Sequence, residues 1–137
     1  MQYWLVKSEP DDYSFDQLRQ DGRTAWDGIR NYQARNYLRD MALGDLVLYY
    51  HSRTGLEIVG VARVVRVAYP DPTAPQGDWS VVDLVPVKPL TTSVSLKTIK
   101  SIPALAEIQL VKNSRLSVMP IPKEAFHLIL QLGNTQT

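Results

Sequence analysis

Apolar positions recur with two different spacings along the chain, and the switches between them mark out its elements. Tyr3-Trp4-Leu5-Val6-Lys7 reads as a first strand. It is stopped by Ser8-Glu9-Pro10-Asp11-Asp12, where Pro10 supplies no donor and biases Glu9 towards extended backbone. Ser14-Phe15-Asp16-Gln17 has the spacing of a capping box, which predicts a short helix from about Phe15 to Gln20 ending at Gly22. Ala34, Tyr37, Leu38 and Met41 recur at three- and four-residue intervals. That period predicts a helix over Tyr32–Met41, with Asn31 as N-cap, Gly44 beyond its end, and Arg35, Asn36 and Arg39 on its other faces.

Beyond Gly44 the pattern becomes that of strands. Asp45–His51 is β-rich, Ser52–Gly55 is a turn, and Ile58–Val67 pairs back as a hairpin. Tyr69–Pro75, with three prolines, is a loop, and Trp79–Val87 is another strand. A short helix is predicted over Ser95–Lys100, extended pieces at Ile108–Val111 and Ser117–Met119, and a closing amphipathic helix over Lys123–Leu132, stopped by Gly133. Asn134–Thr137 are expected to fray. Many short strands with helices between them predict an α+β domain spanning 1–137: a small curved mixed sheet closing towards a barrel, with short helices across its openings. Gly60 lies inside a strand pattern, where a missing side chain fits a sharp bend or a close approach of backbone.

Composition narrows the chemistry. Hydrophobic residues make up 45% and charged residues 21%, an ordinary globular balance. No apolar run is long enough to cross a bilayer, and Met1-Gln2-Tyr3-Trp4 leads straight into a patterned segment, so no membrane partner and a cytosolic location are expected. There is no Cys, which excludes disulfides, thiol catalysis and Cys-ligated zinc. His51 and His127 have no metal-binding spacing, so neither a metal nor a cofactor is expected; His127 belongs to packing on the closing helix. Net charge is +1, yet five arginines (19, 23, 30, 35, 39) face two aspartates (21, 27) between Arg19 and Arg39. Such a patch suits a few phosphates better than a long duplex, although a solvated helix face with ordinary ion pairs has the same composition.

The most informative stretch is Trp26-Asp27-Gly28-Ile29-Arg30-Asn31-Tyr32-Gln33-Ala34-Arg35-Asn36. Arg and Asn recognise phosphates and base edges through paired hydrogen bonds, and Trp is the best stacking surface for a flat base. Trp26 can stack, Asn31 can bond a base edge, and Arg30 and Arg35 can meet phosphate or base. The structural alternative makes Trp26 a core anchor and Asn31 a helix cap.

These residues resemble a known family. Tyr3–Pro10, Trp26–Asn36, Gly44-Asp45, Tyr50-His51-Ser52, Tyr69–Thr73 and Ser114-Arg115-Leu116-Ser117-Val118, in this order and spacing, are similar to the EVE domain. That family sits in the PUA-like superfamily and is related to the YTH readers of methylated RNA. The resemblance runs from near residue 3 to about residue 130. It implies a PUA-like pseudo-barrel with a pocket for a modified base extruded from nucleic acid, in a binding module rather than an enzyme.

The remaining candidates follow from those blocks. Ser8 and Glu9 end a strand where a barrel mouth would hold a pocket and can bond an exocyclic amine; a surface turn with a Lys7–Glu9 pair is the plainer alternative. Tyr50 and Ser52 read as pocket wall and His51 as an orienting residue, with Ile29 joining the wall. Arg115 either touches the ligand or locks Asp27 or Glu9, while Leu116 and Ser117 line the pocket. Trp79 is either a second aromatic wall or the packed start of a strand.

Three functions compete. A reader binds DNA or RNA bearing modified bases without reaction, as a monomer, with any effector on a separate chain. A small hydrolase would use Lys7 and Glu9, two apart on one side of a strand, on a modified base or nucleoside. An adaptor would hold a small metabolite.

Overall fold

The computed structural model describes residues 1–137 throughout. Six strands form one mixed sheet: β1 (Tyr3–Ser8), β2 (Thr24–Ala25), β3 (Leu46–His51), β4 (Glu57–Pro70), β5 (Ser80–Ser95) and β6 (Val118–Ile121). Their order across the sheet is β2-β5-β4-β3-β1-β6, with β1 parallel to β3 and every other neighbour antiparallel. A parallel neighbour demands a crossover. Here the crossover carries three helices, α1 (Pro10–Tyr13), α2 (Phe15–Asp21) and α3 (Tyr32–Asp40), as well as β2. Helix α4 (Leu96–Ser101), a 3₁₀ turn at Pro103–Leu105 and α5 (Gln109–Lys112) lead to β6, and α6 (Lys123–Leu132) closes the chain.

The sheet is an unclosed barrel, and its curl can be read from α3. That helix packs on β5 and β4, towards one edge of the strand order, and also on β6, the opposite edge. Only a sheet rolled around the helix brings both within reach. Register shifts along β3–β4 and β4–β5 supply the bends. β1 is buried across Trp4, Leu5 and Val6, so both its faces are covered. The indole of Trp4 donates to the buried Asp45 carboxylate at 2.9 Å, and that carboxylate also accepts the backbone amides of Gln2 and Ala42.

Gly60 behaves as the strand pattern implies. A Cβ at that position would overlap the Phe15 ring, so the glycine is what lets α2 lie flat on β4. Half of the capping box forms, with the Ser14 hydroxyl accepting from Gln17 N–H while Gln17 Nε2 turns to Asp21, and the helix stops at Gly22, whose φ is +77°.

Four expectations are corrected. Pro10–Tyr13 is a helical turn instead of an irregular stop, because Pro sits well at N1 and Asp11 and Asp12 favour a first turn. The strand around the proline-rich loop runs through Tyr69 and Pro70, held by the Tyr69 hydroxyl on the Asp83 carboxylate. Ile108–Val111 is not extended: Gln109–Lys112 makes a helical turn that buries Leu110, so packing overrides β-branched composition. Finally, Asn134–Thr137 do not fray. β5 bulges out around Leu90–Ser93 between its two stretches of pairing with β4, and the tail satisfies the amides left free there. Thr92 N–H donates to Gly133 O at 3.0 Å, and Thr91 N–H donates to Thr135 Oγ1 at 2.9 Å.

Candidate nucleobase site

Where β1 ends, the chain turns its polar side chains into a cavity of about 460 Å³, a size ordinary for small-ligand sites. Lys7 and Ser8 contribute one side and Asp12 and Tyr13 of α1 a second; Thr24, Ala25, Trp26, Asp27 and Ile29 form the opposite wall. That wall is built by long-range pairing to β5. Arg23 donates to Asp83 through Nε at 3.1 Å and through Nη2 at 2.8 Å, fixing β2 against β5, and Trp26 N–H continues the pairing to Val82 O. The indole then lies edge-on to Tyr49 (5.4 Å between centroids) and to Tyr13 (6.4 Å). Trp26 keeps 7% of its surface exposed and yet borders the cavity. It is core anchor and cavity wall at once, so the two readings of it do not exclude each other.

After Trp26 the backbone reverses at Gly28, with φ +78° and open space where a Cβ would stand; the glycine is required by conformation and not by crowding. One buried carboxylate locks this turn. Asp71 accepts Gly28 N–H (3.1 Å) and Arg30 Nη1 (2.9 Å) on one oxygen, and Thr73 N–H (2.8 Å) and Thr73 Oγ1 (2.7 Å) on the other. Burial by itself would push its pKa up. The hydrogen bonds from Thr73, Arg30 and the amides of Thr73 and Gly28 outweigh that and hold it at about 2. The Tyr69-Pro-Asp-Pro-Thr73 block therefore acts as the clamp of the Trp26 turn.

Of the residues singled out from sequence, Ser8, Trp26 and Ile29 line the cavity. Several others stand directly behind its β1 side. Lys7 N–H donates to Ser117 O at 2.9 Å, its Nζ to Ser114 O at 2.9 Å, and the ammonium lies 5.8 Å above the Tyr50 ring. Ser52 N–H donates to Ser8 O at 3.0 Å. Tyr50, Ser52 and Ser117 thus support the strand end and do not form the wall. Half-burial lowers the Lys7 pKa from its ordinary 10.5.

The rest are placed elsewhere. Glu9 pairs with Arg53 at 3.3 Å while Lys7 Nζ is held by the Ser114 carbonyl, so each member of the Lys7–Glu9 pair has another partner. Asn31 caps α3, its Oδ1 accepting Ala34 N–H at 2.9 Å. His51 Nε2 accepts Phe15 N–H at 3.1 Å, which orients the start of α2 and requires the neutral ring; burial lowers its pKa against the opposing pull of Glu57 and Asp16. Leu116 is 2% exposed and fills the core. Arg115 touches neither Asp27 nor Glu9: Leu116 points inward and the flanking carbonyls of Ser114 and Ser117 face Lys7, which turns Arg115 out to solvent. Arg30 and Arg35 also leave the cavity, for Asp71 and for the Asp78 carbonyl at 3.1 Å. The interior is therefore not cationic. Its lining includes two acidic residues, the exposed Asp12 and Asp27, against one basic residue, Lys7.

Sequence reasoning passed over Asp12, Tyr13, Thr24, Ala25 and Asp27 as lining residues. A signal for α1 was present, since Pro followed by two acids is a helix start. The two-residue β2 had none, because its pairing with β5 depends on residues some 60 positions away. A larger depression of about 880 Å³ between α6 and the tail has one hydrophobic residue among its lining and no Phe, Tyr or Trp. No group of His, Asp or Glu is placed to hold a metal ion, and no helix is long and apolar enough to cross a membrane.

A curled mixed sheet with helices over its openings and an aromatic-walled polar cavity at a strand end defines a binding module of the PUA-like kind. The chain belongs to the EVE domain family, whose model matches residues 2–132. It is similar to Thymocyte nuclear protein 1 of Mus musculus, with 36% identity over 168 aligned residues covering 98% of this chain and 74% of that protein. A crystal structure of a protein from Agrobacterium tumefaciens superimposes with a TM-score of 0.96 at 39% identity, covering 98% of this chain and 94% of that one. Human THYN1 protein, crystallised in complex with 5-methylcytosine containing DNA, superimposes with a TM-score of 0.90 at 31% identity over the whole of both chains.

Proposed function

We propose that this chain is a nucleic-acid reader that seats one modified, extruded base in the cavity beside Trp26. A flipped base needs flat apolar walls for its faces and fixed donors and acceptors for its edge. Trp26, Tyr13 and Ile29 supply the walls, and Lys7, Ser8 and Thr24 the donors. The observation that carries the reading is the pair of carboxylates in this one cavity. Asp12 and Asp27 are acceptors suited to an exocyclic amine, as carboxylates are for the N4 amine of cytosine. That favours an amine-bearing base such as a cytosine derivative, in keeping with the 5-methylcytosine containing DNA held by the human relative.

The test is a salt titration of binding to matched DNA oligonucleotides carrying cytosine or 5-methylcytosine. Burying one methyl group favours the modified strand by roughly fourfold, and Trp26→Ala removes that preference. Equal binding of the two strands at every salt concentration overturns the proposal.

A further inference from the structure

Beside the cavity the chain displays an aromatic surface that the fold does not use. Tyr32, the first residue of α3, is 67% exposed. Its ring stacks on Trp79 with centroids 5.0 Å apart and planes at 19°. The Arg35 guanidinium lies 5.0 Å from the Tyr32 centroid and 5.8 Å from that of Trp79. Those three distances make a nearly equilateral triangle. Were the indole and the guanidinium on opposite faces of the phenol ring, they would be about twice as far apart, so Arg35 does not cover the face of Tyr32 turned away from Trp79, and the high exposure of Tyr32 leaves that face open.

The surface is also rigid. At Gly77 (φ +92°) a Cβ would fall 2.7 Å from the Trp79 indole nitrogen, so the loop backbone lies against that ring. Arg35 keeps 15% of its side chain exposed and braces the stack through the Asp78 carbonyl. Arg30 (36% exposed side chain) and Arg39 (34%) stand on the rim, held by Asp71 at 2.9 Å and Asp78 at 2.7 Å. Three arginines against two aspartates leave the patch positive. Ile29, in the cavity wall, is only three residues from Tyr32, at most about 11 Å of chain. That span is roughly three steps of 3.4 Å along a DNA strand.

We propose that the open face of Tyr32 is a stacking seat for a base flanking the extruded one on the same DNA strand, with Arg30 and Arg39 as the positive rim beside its phosphate. This rests on the cavity being the seat of the extruded base. An exposed, pre-ordered aromatic ring costs little to bring into contact with a base, and any base presents a π-face, so the seat adds affinity without adding sequence preference.

The test compares wild type, Tyr32→Ala and Tyr32→Phe for binding a single-stranded DNA oligonucleotide with one 5-methylcytosine and for binding free 5-methyldeoxycytidine. Tyr32→Ala is expected to weaken oligonucleotide binding by roughly five- to 150-fold. Its affinity for the nucleoside stays within about twofold of wild type, and Tyr32→Phe restores oligonucleotide binding because stacking needs the ring and not the hydroxyl. Unchanged oligonucleotide binding by Tyr32→Ala overturns the proposal. So does an equal loss for oligonucleotide and nucleoside, since the ring would then only prop the cavity. RNA of the same sequence, bound as tightly and weakened as much, overturns the assignment to DNA. If wild type ignores the nucleoside while Tyr32→Ala still weakens oligonucleotide binding, the stacking seat stands and the cavity reading falls.

Discussion

Replacing Asp71 with asparagine removes one charge from a carboxylate that four donors share, and the consequence can be worked from those contacts. Gly28 N–H, Arg30, Thr73 N–H and the Thr73 hydroxyl occupy both oxygens. The amide side chain of the variant would keep one oxygen and turn an NH₂ group towards two of these donors. The charge itself has a measurable value. Asp71 is held at about 2 against an ordinary 3.8, a difference that at 1.36 kcal/mol per unit amounts to roughly 2 to 3 kcal/mol. The sign follows from proton linkage. As pH falls the unfolded chain takes up its proton first, near 4, so the contribution is complete above that pH and is lost as pH falls through the folded value near 2. Urea unfolding of wild type and Asp71→Asn at pH 7 and again near pH 2.5 isolates it, because every other titrating group is common to both. The stability gap should be roughly 2 to 3 kcal/mol at pH 7 and shrink towards the acid end. A gap below about 0.5 kcal/mol at pH 7, or one that does not narrow with acid, would refute the clamp.

Three further outcomes follow from the packing. Gly60→Ala should destabilise the fold by about 1–3 kcal/mol, since its Cβ collides with Phe15; thermal melts measure this, and adding Phe15→Leu should recover part of the loss. Thr135→Val should cost about 0.5–1.5 kcal/mol in urea, because it removes the acceptor that Thr135, a residue only 8% exposed, offers to the Thr91 amide; a frayed tail would show no change. Lys7→Met should abolish an alkaline gain in stability: the folded form of wild type resists protonating Lys7, so stability rises with pH through the window just below 10.5. Urea midpoints at pH 7 and pH 10 compare the two, and parallel behaviour would refute the burial of that ammonium.

What was legible in the chain was legible for local reasons. The capping box at Ser14, the Asn31 cap, the glycine stop at Gly22 and the amphipathic period of α6 each depend on residues within one or two turns. Gly60 was legible because a bare position in a strand has few uses. The errors came where distant residues decide. Ile108–Val111 has strand composition but is folded by burial of Leu110, and the C-terminal residues are ordered by a bulge more than 40 positions earlier.

The site divides along the same line. From residue types alone came the class of ligand: an indole beside a glycine turn, hydroxyls at a strand end, and arginines enough for a few phosphates. Only tertiary structure decided which of them face the cavity. It sent Arg30 to Asp71 and Arg35 to Asp78, put Asn31 to work as a cap and turned Arg115 out to solvent, leaving Asp12, Asp27 and Lys7 as the charges of the cavity. The physical reason is partner choice. A side chain's chemistry belongs to its own residue type, but whether that chemistry is free for a ligand depends on which distant carboxylate, carbonyl or ring the fold brings within about 3 Å of it.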